Sequence, residues 1–570
     1  MAEILTGAQI LCRELVAAGI NTIFGYPGGA IMPFYHALPE FSGLRHILVR
    51  HEQAAAHAAD GYARATGRVG VCVATSGPGA TNLVTGLATA HMDSSPVLAI
   101  TGQVSRPMIG RDAFQETDVI GLTLPITKYS RLVQDITQLA ASVREAIAIA
   151  TEGRPGPVVL DVPKDVQNQK LAYEPRGDAP RLAAGGQSGN GGAPTSASLE
   201  ESVREAARLI GEASRPLFMI GHGVILSNAY DEVRALAEKT GIPVITTLLG
   251  ISAFPESHPL HLGMPGMHGE VHVNRAIQHA DLIVGIGLRF DDRVTGNTAA
   301  FAPRAKIIHV ELDRAEIGKN VKTAVGIVGD ARTVAGLLAD EVAARRCDDW
   351  LAEIRGFVRP RAEAFSGDLS PEAILASIYE ATRGGCTIVT DVGQHQMWVA
   401  KYYPYQRANT HITSGGLGTM GFAVPAAMGV HLARPGEPVW AISGDGGFQM
   451  NMAELATMVQ EGLSVKMAIF NNGYLGMVRQ WQQFFHEKRY SCTPIWSPDY
   501  VKLADAYGIA GWRVERRTEL DDVVRAATAH QGPALVEFVI AEEANVFPMI
   551  PPGGSLSEPI EAAPAGARAV

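Results

Sequence analysis

The sequence is poor in cysteine, in aromatic residues and in clustered positive charge. Only 5 of its 570 residues are cysteines and none form a CxxC pair, so neither a disulfide framework nor a zinc site is indicated and a reducing, cytoplasmic location is expected. Lysine and arginine number 48 against 58 acidic residues, a net charge of -10, without any basic run. This excludes a nucleic-acid-binding surface. No apolar run reaches the roughly 18 residues of a membrane span, and no signal peptide is expected.

What the sequence does have is a regular alternation. Short apolar runs that end in Gly, Asp or Asn alternate with segments of helical periodicity, which predicts an α/β fold of doubly wound parallel sheets. A Gly/Ser/Pro-rich stretch at 173–198 predicts a flexible linker. A weaker break precedes Ser370, a predicted helix cap with Pro371 behind it. The predicted units are domains at 1–172, 199–346 and 368–545 and a tail at 546–570.

The first and third domains resemble two copies of one unit. VGVCVATSGPGATNLVTGLATA in the first and PVWAISGDGGFQMNMAELATM in the third each read as strand, glycine-rich turn and helix. In this alignment Pro78 of the first copy lies opposite Asp445 of the third. A metal site held by one copy is therefore expected in the third.

Two oxygen-bearing side chains follow neighbouring apolar strands in the third domain. Asp445 follows the strand predicted at 439–443, and Asn472 follows the one predicted at 465–470. Parallel strands joined by a crossover helix bring both residues to one sheet edge. Glycines at 444, 446 and 447 would let backbone N–H groups approach a phosphate, and these oxygen ligands suit Mg2+. The alternative is a helix-capping Asp followed by an Asn-Gly turn.

This arrangement resembles the cofactor signature of thiamine diphosphate enzymes. GYPGGAIMPFYHAL, RHEQAAAHAADGYARATG, FDDRVTGN and NVFPMIPPGG narrow the resemblance to the catalytic subunits of biosynthetic acetohydroxyacid synthases (acetolactate synthases). The resemblance implies three doubly wound domains, the central one associated with FAD. It also implies three cofactors, which are thiamine diphosphate, Mg2+ and FAD.

The resemblance assigns the cofactor residues of the first and third domains. It places Mg2+ on the side chains of Asp445 and Asn472 and on the backbone carbonyl of Tyr474. It places other residues beside the diphosphate or the pyrimidine, namely Gly393, Gln394, His395, Gly444, Gly446, Gly447, Gly418 and Met420.

Glu52 is the predicted activating acid. It lies just after the strand predicted at 46–49, at the start of an Ala-rich helix. A Glu there is also explained by the helix dipole alone, worth about 0.3–1 kcal/mol. The resemblance makes it the carboxylate that hydrogen-bonds the aminopyrimidine of the cofactor. The same resemblance places four further residues at the reaction centre, namely Gly29, Phe114, Gln115 and Lys164.

The middle domain has only fragments of a dinucleotide motif. Gly221-His222-Gly223 and Gly285-Ile286-Gly287 do not make a full GxGxxG, so a purely structural α/β domain stays open. The resemblance implies FAD without a redox step, bound by Arg154, Gly221, Gly223, Met267, His268, Gly287, Arg289, Asp291, Glu311 and Asp330.

Two further regions are predicted to bind the second keto acid. Arg293 matches the family's carboxylate-binding arginine, although an ion pair with Asp291 or Asp292 also explains it. Trp481, with Met477 and Val478 on the same face of the helix predicted at 475–485, matches the wall that packs on the ethyl group of 2-ketobutyrate. A core Trp is the alternative.

The function implied by the resemblance is acetolactate synthase. Pyruvate is decarboxylated on thiamine diphosphate, and the hydroxyethyl group passes to pyruvate or 2-ketobutyrate to give 2-acetolactate or 2-aceto-2-hydroxybutyrate in branched-chain amino acid biosynthesis. The implied partners are 2-keto acids, a second copy in a homodimer or tetramer with interfacial active sites, and a small regulatory subunit. The alternatives are a catabolic acetolactate synthase, a glyoxylate carboligase, a pyruvate oxidase-like oxidoreductase and a non-enzymatic α/β binding subunit.

Overall fold

The computed structural model describes residues 3–174, 196–358 and 369–562, which contain three parallel six-stranded sheets. Most of the predicted linker and the end of the predicted tail lie outside the described residues. Helices cover both faces of each sheet, and the strands are buried almost throughout. None of the helices in the described ranges is long and apolar enough to cross a membrane. The predicted fold class is confirmed.

The first domain contains eight strands and eight α-helices. Its strands are β1 (Glu3–Thr6), β2 (Thr22–Gly25), β3 (Arg45–Leu48), β4 (Gly70–Ala74), β5 (Val97–Gln103), β6 (Tyr129–Leu132), β7 (Val158–Pro163) and β8 (Lys170–Tyr173). Its helices are α1 (Gly7–Ala17), α2 (Met32–Ala37), α3 (Glu52–Thr66), α4 (Pro78–Asn82), α5 (Val84–Met92), α6 (Val119–Thr123), α7 (Ile136–Thr151) and α8 (Lys164–Asn168). Strands β1 and β8 pair antiparallel as a separate ribbon.

The described part of the middle domain contains six strands and seven α-helices. The strands are β9 (Pro216–Ile220), β10 (Val244–Thr246), β11 (His261–Gly263), β12 (Leu282–Ile286), β13 (Lys306–Glu311) and β14 (Val325–Val328). The helices are α9 (Ser196–Glu212), α10 (His222–Leu226), α11 (Tyr230–Thr240), α12 (Val271–His279), α13 (Asp292–Thr295), α14 (Ala331–Glu341) and α15 (Asp348–Gly356).

The described part of the third domain contains six strands and eight α-helices. The strands are β15 (Thr387–Thr390), β16 (His411–Thr413), β17 (Val439–Gly444), β18 (Val465–Asn471), β19 (Ala510–Val514) and β20 (Ala534–Val539). The helices are α16 (Pro371–Thr382), α17 (Gln394–Tyr402), α18 (Ala423–Ala433), α19 (Asp445–Met450), α20 (Leu455–Glu461), α21 (Gly476–Phe485), α22 (Tyr500–Ala506) and α23 (Arg517–Ala529). Ser370 caps α16, with Pro371 at its first position, as its sequence indicates.

The first and third sheets have the same topology. Their strand orders are β3-β2-β4-β5-β7-β6 and β16-β15-β17-β18-β20-β19. When each sheet is numbered from its own first strand, both orders become 2-1-3-4-6-5. This identity is what duplication of one ancestral unit would produce, and it supports the sequence alignment of the two domains.

The middle sheet has a different order, β11-β10-β9-β12-β13-β14. Numbered from its own first strand, this reads 3-2-1-4-5-6, the order of doubly wound dinucleotide-binding domains. The strand order reverses between β9 and β12. A crevice therefore opens at the carboxyl ends of these two strands, where such sheets bind ligands.

Two glycine-containing helices join the first domain to the third. A Cβ added to Gly61 in α3 would lie 2.2 Å from the carbonyl oxygen of Ala426 in α18, and one added to Gly429 would lie 2.0 Å from that of Ala58. Only glycine permits this backbone contact. Glu454 also accepts the backbone N–H of Arg50 at 2.8 Å, just before α3 begins. The N-terminus of α3 is therefore held firmly against the third domain.

Candidate active site

The predicted metal ligands lie together at one edge of the third sheet. Asp445 begins α19 immediately after β17, and Asn472 follows the adjacent strand β18. Burial raises the pKa of Asp445 to about 6, while the backbone N–H groups of Gly446 and Gly473 oppose that rise. Asn472 Oδ1 accepts the backbone N–H of Tyr474 at 3.2 Å. A buried carboxylate and an amide oxygen thus converge, as the sequence predicts.

These oxygen groups suit a hard cation. In the described ranges Asp445 has no ion-pair partner, and no group of three or more His, Cys, Asp or Glu side chains is placed to hold a metal. The predicted set does not need such a group, because it combines one carboxylate, one amide and one backbone carbonyl. Oxygen ligands of this kind, with water or phosphate completing the shell, are those Mg2+ uses.

The glycine turn beside Asp445 leaves no room for side chains. A Cβ on Gly444 would lie 3.0 Å from His395 Nδ1, and one on Gly447 would lie 2.6 Å from Asp391 Oδ2. A Cβ on Gly446 would lie 2.7 Å from Leu475 Cδ2. The turn therefore brings its backbone N–H groups close to the adjoining space, where they can bind an anion.

His395 gives an independent sign of a ligand at this turn. Its Nε2 is buried and has no hydrogen-bond partner. Burial lowers the pKa of His395 to about 3, so the ring is neutral. Because buried polar atoms are almost always satisfied, an unpartnered nitrogen here fits the presence of a phosphate group. Gly393 precedes this residue at the start of α17, whereas the Gln394 side chain turns toward Asn472 at 3.3 Å.

A buried ion network supports the segment that leads to Gly418 and Met420. Asp93 accepts the backbone N–H groups of Gly415 at 3.0 Å and Gly416 at 2.6 Å, and it pairs with Arg64 at 2.8 Å. Both carboxylate oxygens are therefore satisfied, as a buried charge requires. Gly418 has a φ of 73°, a conformation that favours glycine.

Glu52 occupies a separate half-site in the first domain. It is buried at the first position of α3, and Asn82 Nδ2 donates to its Oε2 at 2.9 Å. A Cβ on Gly79 would approach its other oxygen, Oε1, to 3.3 Å. Among the described residues, no hydrogen bond joins Glu52 to Asp445 or Asn472. Glu52 follows β3 of the first sheet and the predicted metal ligands follow β17 and β18 of the third, so the two half-sites belong to different domains of one chain.

The other residues predicted at the reaction centre lie at the surface of the first domain. Gly29 and Lys164 are exposed, and Phe114 is 88% exposed. Gln115 has a φ of 61°, which is uncommon for a residue with a side chain. An aromatic side chain left this open is typical of a surface that another molecule covers.

A cavity of about 3340 Å³ runs between the three domains. It opens at the crevice between β9 and β12, where a Cβ on Gly223 would lie 2.6 Å from Gly287 Cα. Gly221 lies behind the lining and packs against the Gly287 carbonyl. The other predicted FAD residues line the cavity, namely Arg154, Gly223, Met267, His268, Gly287, Arg289, Asp291, Glu311 and Asp330.

The polar groups of this cavity suit a dinucleotide. Arg154 reaches from the first domain to Glu316 at 3.2 Å and donates to Ser94 at 2.8 Å. Glu311, at the end of β13, accepts the backbone N–H of Leu312 at 2.8 Å, and burial raises its pKa to about 7. The cavity volume, the close glycine contact and an acidic group at a strand end all fit FAD.

Helix α21 forms the far wall of the same cavity with its apolar side. Met477, Val478 and Trp481 line the cavity, and the Trp481 ring lies 5.7 Å from that of Phe485. Trp481 is thus partly buried and borders this cavity, and its contact with the second substrate stays a prediction. Arg293, also in the lining, is largely exposed, and its nearest acid is Asp292 at 3.9 Å.

The buried side of α21 is polar, which sequence reasoning missed. Arg479 and Gln480 are completely buried and Gln483 is nearly so. Amphipathic periodicity suggests the reverse arrangement, with apolar residues inward. The only available signal is that three long polar side chains occur at helical spacing opposite Trp481. Asp93 and Asp391 also escaped notice, because isolated acids carry no pattern.

Three family models match the chain in the order of its domains. Residues 5–122 match the N-terminal thiamine pyrophosphate (TPP) binding domain of thiamine pyrophosphate enzymes, residues 203–338 match their central domain, and residues 391–538 match their C-terminal TPP binding domain.

Curated relatives match almost the whole chain. An acetolactate synthase of Mycobacterium bovis is 48% identical over 97% of this chain and 91% of its own length. An acetolactate synthase large subunit of Corynebacterium glutamicum is 45% identical over 98% of this chain and 90% of its own. A probable acetolactate synthase large subunit of Methanocaldococcus jannaschii is 45% identical over 98% and 95%. The chain belongs to the acetolactate synthase large-subunit family of thiamine pyrophosphate enzymes.

Proposed function

We propose that the chain decarboxylates pyruvate and transfers the hydroxyethyl group to pyruvate or 2-ketobutyrate. The products are 2-acetolactate and 2-aceto-2-hydroxybutyrate. The observation that carries this proposal is the convergence of Asp445, Asn472 and the glycine turn at one sheet edge, next to a buried His395 nitrogen without a partner. The family membership supports the same reaction.

Each half-site has a defined task in this proposal. Asp445 and Asn472 bind Mg2+ through side-chain oxygens and Tyr474 through its carbonyl, while the glycine turn donates N–H groups to the diphosphate. When bound, thiamine diphosphate supplies an electron sink for decarboxylation of a 2-keto acid. Glu52 hydrogen-bonds the aminopyrimidine and holds a proton at a carboxylate oxygen. Arg293 binds the carboxylate of the second keto acid.

A second copy of the chain completes the active site in this proposal. The Glu52 half-site and the Asp445 half-site are separate on one chain, and Gly29, Phe114 and Lys164 lie exposed beside the first. A homodimer, or a tetramer made of two such dimers, would cover this surface. A small regulatory subunit is a further proposed partner, since relatives are named as large subunits. A cytoplasmic location is proposed because all five cysteines are free thiols, which suits a reducing compartment.

The reaction is tested by product analysis. The full-length protein, supplied with Mg2+, thiamine diphosphate and FAD, is given pyruvate with and without 2-ketobutyrate. Mass spectrometry should detect 2-acetolactate alone in the first case and both products in the second. Acetaldehyde or acetate as the main product would refute the proposal in favour of a simple decarboxylase or an oxidase.

FAD is expected to be required but redox-silent. Arg154 and Glu316 tie the first domain to the middle one beside the flavin cavity, so a bound dinucleotide would join the two domains. The proposed decarboxylation and carboligation involve no net oxidation, so they need no electron acceptor. Anaerobic addition of pyruvate should leave the yellow flavin absorbance essentially unchanged. Bleaching of the flavin at the rate of turnover would favour the pyruvate oxidase-like alternative.

Replacing Trp481 with leucine is expected to change the product ratio. The ring lines the cavity, and contact with one extra methylene is worth about 1–3 kcal/mol, a preference of roughly tenfold or more for 2-ketobutyrate. Trp481→Leu should keep acetolactate formation and lose most of this preference when both acceptors compete. Trp512→Leu, the same change at a tryptophan of β19 that packs against His530 and lies outside the cavity lining, is the matched control. An unaltered ratio in Trp481→Leu would contradict the assignment.

A further inference from the structure

The buried polar face of α21 connects a proposed metal ligand to the C-terminal part of the chain. Gln394 lies at the centre of this connection. Its Nε2 donates to Gln480 Oε1 at 2.9 Å and to the backbone carbonyl of Ala544 at 2.8 Å, and its Oε1 accepts from Asn472 Nδ2 at 3.3 Å. All three side chains are buried. Their amide groups therefore depend on one another rather than on solvent.

The orientation of each amide is determined by backbone groups. The backbone N–H of Val546 donates to Gln480 Oε1 at 2.8 Å, and Gln480 Nε2 donates to the Val546 carbonyl at 3.0 Å. A backbone N–H can only donate and a carbonyl can only accept, so the Gln480 amide has one acceptable orientation. Its oxygen then faces Gln394. Since the Ala544 carbonyl also needs a donor, the NH2 group of Gln394 must point toward both acceptors.

The fixed orientation of Gln394 determines which atom of Asn472 faces the metal corner. Because both donors of Gln394 are used, only its oxygen is left for Asn472, which must present its NH2 group there. Asn472 Oδ1 is thereby turned to the opposite side, toward the Tyr474 N–H at 3.2 Å. In a flipped Asn472, its oxygen would face the Gln394 oxygen and its NH2 group the Tyr474 N–H. Both contacts are repulsive.

The first residue of α21 is shaped to admit this contact. A Cβ on Gly476 would lie 2.1 Å from Gln394 Oε1 and 2.9 Å from Asn472 Nδ2. Gly476 lies in the helix without a left-handed backbone, so its conformation alone does not require glycine. Glycine is required here because the two amide groups occupy the space that a Cβ would need. This is independent evidence that the Gln394–Asn472 contact is built into the fold.

Arg479 anchors the backbone segment that sets the amide orientations. Its guanidinium donates to the Ala544 carbonyl at 2.9 Å, to Asn545 Oδ1 at 2.8 Å and to Gln483 Oε1 at 2.9 Å. It is fully buried, and no carboxylate among the described residues pairs with it. Burying a cation costs desolvation free energy unless its donors are hydrogen-bonded, so loss of any of these neutral acceptors would be unfavourable and they are held firmly in place. It fixes the segment Ala544–Val546 against α21.

We propose that Gln480, Gln394 and Asn472 form an amide relay in which Gln480 is a positioning residue for the metal site. The relay keeps an oxygen, not an NH2 group, of Asn472 directed toward the cation. The C-terminal segment Ala544–Val546 is its reference point. This inference rests on the proposed metal role of Asn472 and adds a determinant of metal affinity on the opposite side of the helix that carries Trp481.

The relay is tested by calorimetric titration of Mg2+ into full-length, FAD-loaded protein with thiamine diphosphate present and no keto acid. Gln480→Met keeps the length of the side chain and removes both polar atoms, so Mg2+ affinity should fall about tenfold or more. Gln482→Met is the matched control, because Gln482 lies on the same helix and bonds to Ser491 and Thr493 but not to Gln394, Arg479 or the segment Ala544–Val546. Its Mg2+ affinity should stay within about twofold of the wild type.

Replacing Asn472 with aspartate separates positioning from a general structural effect. A carboxylate has oxygen on both sides, so its metal affinity does not depend on which way an amide points. In the Asn472→Asp background, the penalty of Gln480→Met should shrink to less than about threefold. An equal loss in Gln480→Met and Gln482→Met, or a penalty that persists undiminished in Asn472→Asp, would overturn the relay.

Gly476→Ala tests the same contact if Gln480→Met does not fold. Alanine favours the helix over glycine, yet its Cβ would displace the Gln394–Asn472 pair. The expected result is a protein that still unfolds cooperatively and a Mg2+ affinity lowered about tenfold. Unchanged affinity would overturn the relay. Undiminished Mg2+ binding in Asn472→Ala would instead refute the proposed metal site. If the relay variants change Mg2+ affinity as expected but the protein forms no acetolactate, only the proposed reaction would be refuted.

Discussion

Glu52→Gln is expected to fold and to bind thiamine diphosphate and Mg2+ normally, but to slow hydrogen/deuterium exchange at the thiazolium carbon by roughly 100- to 10,000-fold. This is the usual contribution of a well-placed acid or base. A glutamine has nearly the shape of Glu52 but cannot hold the proton that the carboxylate shares with the aminopyrimidine. Exchange is followed by NMR after acid quenching, so no turnover is needed.

The surroundings of Glu52 explain why such a conservative change should be decisive. Asn82 donates to Oε2 at 2.9 Å and thereby holds the carboxyl group in one plane, leaving Oε1 on the side where Gly79 lacks a Cβ. In Glu52→Gln, either the amide nitrogen faces the Asn82 donor or it faces the cofactor. Neither orientation reproduces the two acceptors of a carboxylate.

Glu40→Gln is the matched control, because Glu40 is an exposed carboxylate of the same domain that accepts from Gln9 at 2.7 Å. Its exchange rate should equal that of the wild type. A Glu52→Gln variant with an unchanged exchange rate would show that Glu52 is only a favourable residue in the first turn of a helix, the simpler interpretation of its position.

The metal corner could be predicted from sequence because its geometry is local. The strands predicted at 439–443 and 465–470 extend by only one residue, to Gly444 and Asn471. Parallel strands with a crossover helix place their carboxyl ends at the same edge, whatever the rest of the chain does. Asp445 and Asn472 therefore converge for reasons that a short stretch of sequence contains.

The polar face of α21 could not be predicted, since its partners are distant in sequence. Gln480 bonds to Val546, and Arg479 bonds to Ala544 and Asn545, all more than sixty positions away. Periodicity identified a helix with Trp481 and Met477 on one face but not which face is buried. Which side of α21 is buried depends on the hydrogen-bonding groups that the C-terminal segment presents to it. No local sequence pattern encodes those groups.

The order of the middle sheet was also hidden from local analysis. Strand runs were recognisable, but Gly221-His222-Gly223 and Gly285-Ile286-Gly287 are too short to identify a dinucleotide site. In the fold the first fragment follows β9 and the second forms the end of β12, and their glycines Gly223 and Gly287 meet backbone to backbone at the point where the strand order reverses. The glycines of two separate strands together provide the close approach that a single GxGxxG motif provides elsewhere.

The loss of Mg2+-dependent cofactor binding in Asp445→Ala should be the largest effect on affinity in the molecule. Residues that only support a metal ligand are worth about 10- to 100-fold, so removal of a charged ligand should cost at least about 100-fold. Mg2+ is titrated calorimetrically with thiamine diphosphate present. Asp505→Ala, which removes an exposed carboxylate from α22 of the same domain, should bind like the wild type.

Asp445→Asn separates the charge of this ligand from its oxygen. Asp445 is buried, and among the described residues no Lys, Arg or His pairs with it, so the carboxylate lacks the counter-charge that buried acids usually have. A bound cation would supply that charge. Asn keeps one oxygen but no charge, and its Mg2+ affinity should fall between those of the wild type and Asp445→Ala. If Asp445→Asn bound Mg2+ as tightly as the wild type, the charge would be irrelevant to the site, and the buried acid would have to be explained as a residue that merely begins α19.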